Sequence, residues 1–343
     1  MPPLVLLFRL CSLERNGFNP PTLSNAEWDQ LAQLAVAHGV GAWLLDRLLA
    51  DYPDLPLPDG SRSLLLAAAH ANLSQCAVMT GVVLRIASLL RNEGIEPIFL
   101  KGLALLRDFY PDIALRSTSD VDILVTDPDN FRARDALVAD GAAPCHQRPE
   151  VIDKFRNHMV PMRYRGLSVE IHRNLSRHDV GRVSPIINIE SHVAKSDDFS
   201  SLDAEASFCH LAIHAASHRR REMVCLKWYV DLAVVIMSRP ADPLGFINRC
   251  LEVAPSARSD IREAVAIAMP LLPANVASLF AANGFTPVKL ALADIDPTSS
   301  PLWPIRKSAY KAFSLALAVV ELLRRGQDLL PSIRYFAHLR NNS

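Results

Sequence analysis

The sequence has no excess of either charge: Lys and Arg together number 36, and so do Asp and Glu. A balanced chain carries no global field to recruit nucleic acid or an anionic membrane, so a partner of that kind would need a local patch. Paired cysteines are missing as well. The six stand at 11, 76, 145, 209, 225 and 250, none at the short CxxC spacing of a zinc ribbon or redox motif. A chain of 343 residues can bury a sufficient core without disulfide staples, so reduced thiols in a cytoplasm are the simplest reading. The apolar runs that stand out are short. Pro3–Phe8 follows no basic stretch, and Ala312–Val320 ends at Glu321. Both fall well below the roughly 20 residues needed to span a bilayer, and the second reads as a buried helix. There is no internal repeat and no low-complexity tract.

What is present is helical periodicity on both sides of a small mixed segment. Residues 24–50 space their apolar side chains as a helix does, with Ser24 or Asn25 as the N-cap. The Pro- and Asp-rich stretch 51–60 cannot continue it, and 61–92 is helical again up to Glu93-Gly94. The pattern then shortens. A buried strand is expected at Ile98–Leu100, a short helix over Leu103–Phe109, and a loop through Thr118. Ser119–Val125 alternates polar and apolar as a half-wet strand does, and Pro128–Ala139 is helical. Residues 143–158 are irregular and polar, and Met159–Tyr164 and Leu167–His172 read as strands around Arg165-Gly166. From Asp203 everything reads as helix: 203–218, 222–238, 242–252, 258–270, 273–283 and 305–325. The expected fold class is α+β, with an N-terminal helical region over 1–92, a small mixed core over 93–175 and a C-terminal helical domain over 176–343.

The chemistry-bearing residues cluster in the core. Side chains alternate along a strand, so Asp120 and Asp122 point to one face, anchored by Val121, Ile123, Leu124 and Val125. Paired carboxylates suit hard divalent cations such as Mg²⁺ or Mn²⁺, and phosphoryl chemistry uses two such ions about 4 Å apart. Glu170, in Leu-Ser-Val-Glu-Ile-His, is the best placed third carboxylate, and His172 shares its face. An Asp-x-Asp pair at a strand edge is common without any catalytic role. Here it follows Phe99-Leu-Lys-Gly102, a strand that ends in glycine and opens a helix, where backbone N–H groups and the Lys101 ammonium could meet phosphate. Arg116 stands four residues before Asp120 and could reach the same anion.

These residues carry a resemblance. Lys101-Gly102, a short helix, Tyr110-Pro111, Arg116 and Asp120-Val-Asp-Ile-Leu-Val125 resemble the bacterial nucleotidyltransferase-like family within the DNA polymerase β superfamily. Val169-Glu-Ile-His172 is similar to its later acid-bearing strand, and Leu211–Ala233 to its downstream helices. The similarity spans roughly 24–240, and Leu103 departs from the Gly or Ser that usually follows the glycine. The resemblance implies a polymerase β-type nucleotidyltransferase core in which Asp120, Asp122 and Glu170 bind the metals. Lys101, Gly102, Arg116 and Ser119 would hold the triphosphate of an NTP such as ATP. The acceptor would be an unknown small molecule or peptide, with nucleic acid and membrane disfavoured. Attack at the γ-phosphate, making the chain a phosphotransferase, would use the same carboxylates. An inactive interaction module is the third reading, against which the crowded like charges argue.

Other polar residues allow two readings each. His210, His214 and His218 recur every four residues, but Leu211 stands where a metalloprotease helix carries its general base. The three also spread over about 12 Å of helix, too far for one ion. His214 and His218 are therefore expected either to line the nucleotide cleft or to pack. Lys227 and Asp231 are spaced i, i+4 as a helical salt bridge would be, or, by resemblance, they face the cleft. Arg219-Arg220-Arg221 reads as a solvated helix junction, and 305–340 as a slightly basic surface.

Overall fold

The computed structural model describes residues 2–14, 18–146, 157–175, 187–220 and 224–287. The expected helix at 305–325 and the basic stretch 305–340 lie outside the described residues. Helix α1 (Pro3–Leu10) has proline in its first turn and buries Leu4, Leu6, Leu7 and Leu10, so this apolar run is a core element. Helix α2 (Asn25–Ala37) opens on a capping box: the Ser24 hydroxyl accepts from the Glu27 N–H, and the Ser24 N–H donates to the Glu27 carboxylate.

The single helix expected over 24–50 is two. Gly39 adopts φ +69°, which ends α2 before α3 (Gly41–Asp51) begins. A side chain at Gly39 would meet the Ser117 hydroxyl at 2.6 Å, so the break also lets a distant loop come close. Helix α4 (Asp59–Asn92) then runs for 34 residues. By length and composition it could cross a membrane; in this fold its buried face, including Leu65, Met79, Val83 and Leu90, packs on α2 and α3.

A mixed sheet follows, in the order β3-β4-β5-β2-β1-β7-β6. Its strands are β1 (Ile98–Leu100), β2 (Asp120–Leu124), β3 (Ala143–Pro144), β4 (Met162–Tyr164), β5 (Leu167–His172), β6 (Val193–Ala194) and β7 (Ser200–Leu202). Helix α5 (Gly102–Asp108) joins β1 to its antiparallel neighbour β2, and α6 (Asn130–Ala139) follows β2. Strand β2 is central, parallel to β5 on its other side. Val121, Ile123 and Leu124 are buried, each contributing about 1.5–3 kcal/mol of apolar burial.

The sheet does not stop at 175, where the sequence pattern places the end of the core. Strand β7 adds parallel to β1, with β6 beyond it. The reason it escapes sequence reading is chemical. Ser200 and Ser201 are buried polar residues with no alternating pattern, and their hydroxyls donate to Glu96 and Asp108. Five helices complete the described fold: α7 (Ala204–Arg219), α8 (Leu226–Met237), α9 (Pro243–Val253), α10 (Arg258–Ala268) and α11 (Ala274–Ala282). Asp203 caps α7 by accepting from the Ala206 N–H, and α7 packs on β7 and on α8 to α10. All six cysteines are free thiols.

Candidate active site

The register of three strands builds the site. Asp122 lies opposite Glu170 on β5 and opposite Leu100 at the end of β1. The next residue after Leu100 is Lys101, whose ammonium Nζ lies 3.0 Å from Asp122 Oδ2. His172, two residues after Glu170 and so on the same face, places Nε2 2.8 Å from Asp122 Oδ1 and 3.8 Å from Glu170 Oε2. One ligand atom each from Asp122, Glu170 and His172 fall within 4.8 Å of one another, a spacing suited to one cation.

The backbone around Lys101 is unusual. Lys101 itself has φ +46°, a region that costs a side-chain-bearing residue free energy, and Gly102 follows at φ +35°. A Cβ at Gly102 would meet the Thr118 hydroxyl at 3.1 Å, so the tight turn needs glycine. This turn brings the Lys101 side chain back over Asp122.

Burial pushes the Asp122 carboxyl up, but the Lys101 charge and the His172 hydrogen bond outweigh it and hold the group well below the usual carboxylate range. Glu170 moves the other way. Burial and the neighbouring Asp122 charge raise its proton affinity. Asp122 is only 6% exposed, whereas the Glu170 side chain is 27% exposed and is the open side of the pair. With Nε2 on Asp122, the buried Nδ1 of His172 has no hydrogen-bond partner. An unpaired acceptor is tolerated better there than an unpaired N–H, so the ring is read as donating from Nε2 and orienting Asp122. Asp120 stands apart from the tight trio, taking a 3.3 Å hydrogen bond from the exposed Ser119 hydroxyl. Its charge still acts on Glu170, Arg116 and Lys227.

Arg116, expected at the phosphates, is committed elsewhere. Its Nε and Nη2 donate to both oxygens of Asp231 at 2.7 and 2.9 Å, and the Tyr110 hydroxyl donates to Asp231 at 2.6 Å. Asp231 is fully buried (0%). The Lys227–Asp231 helical pair that the spacing allows is therefore not what forms. Lys227 Nζ donates instead to the Ser117 carbonyl at 3.2 Å, and the Ser117 hydroxyl donates to the Gly39 carbonyl. Burial, then the nearby Arg116, lowers the Lys227 pKa. Together these bonds tie the loop entering β2 to α8 and to the α2–α3 break.

The histidines divide. His214 and His218 pack ring to ring at 4.4 Å, and Trp228 on α8 closes the group at 5.3 Å from His214 and 4.7 Å from His218. All three residues are half-buried. Burial in this recess and then the Lys101 charge hold His214 well below the ordinary imidazole range. Ser207, His210 and Leu211 of α7 line one cavity with Lys101, so α7, with Trp228 of α8 packed on His214, forms a wall beside the carboxylates. His210 is one turn deeper. It lines a cavity of about 10 Å³ with Lys101, Ala104 and Ser207, room for roughly one water. Burial, helped by Lys101, lowers its pKa to about 3, against an opposing backbone contact with Leu175.

Of the residues singled out from sequence, Lys101, Gly102, Asp122 and Glu170 come together in one place, with Ser119 and Asp120 at its edge. His214 and His218 stand on the adjoining wall, and Arg116, Lys227 and Asp231 form the bracing beneath the β2 loop. Sequence reasoning left His172 outside the main set and gave Trp228 no role in the site. The first could be found from its i, i+2 spacing to Glu170; the second needs the fold. No curated protein matches the sequence. A family model described as uncharacterised nucleotidyltransferase matches residues 24–254, a span that takes in the whole sheet, the carboxylates and the helical wall. The chain belongs to that nucleotidyltransferase family.

Proposed function

We propose that the protein transfers a nucleoside monophosphate from an NTP to a hydroxyl or phosphate group of a small-molecule or peptide acceptor, with release of pyrophosphate. The observation that carries this reading is the pairing of Asp122 with Glu170 across β2 and β5, which gathers ligand atoms of Asp122, Glu170 and His172 within 4.8 Å beside the Lys101 ammonium. The donor set fits a divalent cation: two carboxylates, one held ionised, with a third, Asp120, on the same strand face.

Asp120, Asp122 and Glu170 would hold Mg²⁺ or Mn²⁺. Bound there, the metal supplies positive charge at the phosphates and makes an attacking hydroxyl more acidic. The other roles belong to the chain. Lys101 offers its ammonium to a phosphate oxygen, and the Gly102 turn lets the phosphate approach the backbone closely. Ser119 offers a hydroxyl at the rim. His172 keeps the Asp122 carboxylate in one orientation through its Nε2–H. His214 and His218 line the recess on the base side, with Trp228 packed against both. The Arg116–Asp231 pair and Lys227 brace the loop that delivers Asp120 and Asp122. The equal numbers of acidic and basic residues suit a small acceptor better than a nucleic acid.

The test is incubation with nucleoside triphosphates labelled on the α- or the γ-phosphorus, with Mn²⁺ or Mg²⁺ and a pool of small-molecule and peptide acceptors. Transfer of the α label with pyrophosphate release is expected. Transfer of the γ label would make the protein a phosphotransferase, and transfer of neither with any triphosphate would favour an interaction module.

A further inference from the structure

Both oxygens of Asp122 are already engaged, Oδ2 by the Lys101 ammonium at 3.0 Å and Oδ1 by His172 Nε2 at 2.8 Å. Each oxygen keeps a second lone pair, so a cation can still reach this carboxylate, but only alongside the charge already held there. His172 is fixed within β5 and is 5% exposed. Lys101 is different: its charge sits at the end of a flexible four-carbon stem, and its side chain is 14% exposed. An ammonium and a divalent ion sharing one carboxylate in a poorly screened site repel each other strongly. They can coexist only if the ammonium finds another anion.

We propose that Lys101 is a built-in competitor for the metal position on Asp122, released to the phosphates when triphosphate and metal arrive together. This inference rests on the reading of Asp122 as a metal ligand. Its consequence is coupling. Metal alone binds weakly because it must displace the ammonium into solvent-poor surroundings. Metal accompanied by a triphosphate binds tightly because the displaced ammonium acquires a phosphate partner. By linkage, the metal raises triphosphate affinity by the same factor. Lys101 therefore does two things of opposite sign: it opposes the lone metal and favours the metal–triphosphate pair. A lysine that only gripped phosphate would leave the lone metal untouched.

The test is a Mn²⁺ titration followed by electron paramagnetic resonance of free Mn²⁺, on wild type, Lys101→Met and Lys101→Arg, with and without a non-hydrolysable ATP analogue. Without nucleotide, Lys101→Met should bind Mn²⁺ roughly tenfold or more tighter than wild type, and Lys101→Arg should resemble wild type because the charge remains. With nucleotide, wild type should gain about tenfold or more in Mn²⁺ affinity, a gain that Lys101→Met loses. Lone-Mn²⁺ affinity that is equal or weaker in a folded Lys101→Met variant would overturn the proposal. Should that variant not fold, wild type decides: Mn²⁺ affinity indifferent to nucleotide overturns it. If wild type binds no Mn²⁺ even with nucleotide, the metal reading of Asp122 itself falls, and the proposal with it.

Discussion

Asp122 and Asp231 are both buried acids with a cationic partner, and they differ in everything else around them. Asp231 receives a two-point contact from the Arg116 guanidinium and a third hydrogen bond from Tyr110. Asp122 has one ammonium and one imidazole, and a second carboxylate, Glu170, lies directly across the strand pair. The first cluster is closed. Every oxygen is satisfied and its charges balance, so it adds rigidity and no reactivity. The second has more acid than base in a partly open place, an arrangement that raises the Glu170 pKa and leaves the fold in want of a cation. Two clusters built on one loop-and-strand segment thus divide the labour: Arg116 with Asp231 sets where β2 begins, and Asp122 with Glu170 across the strand pair is what β2 presents.

The largest effect should come from breaking the closed cluster. Arg116→Ala strands a buried carboxylate and should destabilise the fold by about 3–5 kcal/mol in urea denaturation. Replacing both partners with apolar residues, Arg116→Met with Asp231→Leu, should restore most of that stability. A loss below about 1 kcal/mol in the single variant would mean that the cluster is no brace. Glu170→Gln should act in the opposite sense. It removes a like charge beside Asp122, so stability should hold or rise, while Mn²⁺ affinity with a triphosphate present falls at least about tenfold. Stability and affinity falling together would erase the distinction between the clusters.

A smaller effect belongs to His210, the neutral histidine one turn below the cleft. Its pKa is lowered to about 3 from an ordinary 6.5. The unfolded chain therefore binds a proton that the folded chain refuses. The stabilising contribution is complete above pH 6.5 and is lost as the pH falls towards 3. Between pH 7 and pH 5 wild type should lose up to about 2 kcal/mol that His210→Leu does not. Equal acid sensitivity in the two proteins would show that His210 is already charged or solvated.

The elements that set the site were legible where local chemistry and periodicity agree. Asp120-Val-Asp-Ile alternates acidic and apolar residues on a strand buried except at Asp120, and Phe99-Leu-Lys-Gly marks a strand end because glycine follows it at φ +35°. The mixed α+β architecture with flanking helices follows from the same patterns. What the sequence hid was pairing at long range. Arg116 and Asp231 are 115 residues apart and meet only in three dimensions, so the local i, i+4 partner Lys227 was the natural expectation. Strand β7 was hidden because buried serines satisfied by Glu96 and Asp108 look like loop. The break at Gly39 was hidden because the apolar spacing resumes after it, and its reason, the approach of Ser117, comes from another part of the chain.

The claim that the open cluster on β2 is a metal and triphosphate site is tested most directly by calorimetry of Mn²⁺ with a non-hydrolysable triphosphate analogue on wild type and Asp122→Asn. Saturable binding by wild type is expected. Asp122→Asn, with an unchanged circular dichroism spectrum, should lose about a hundredfold or more in affinity, more than is typical for a residue that merely supports a ligand. Equal binding by the two folded proteins would contradict the account.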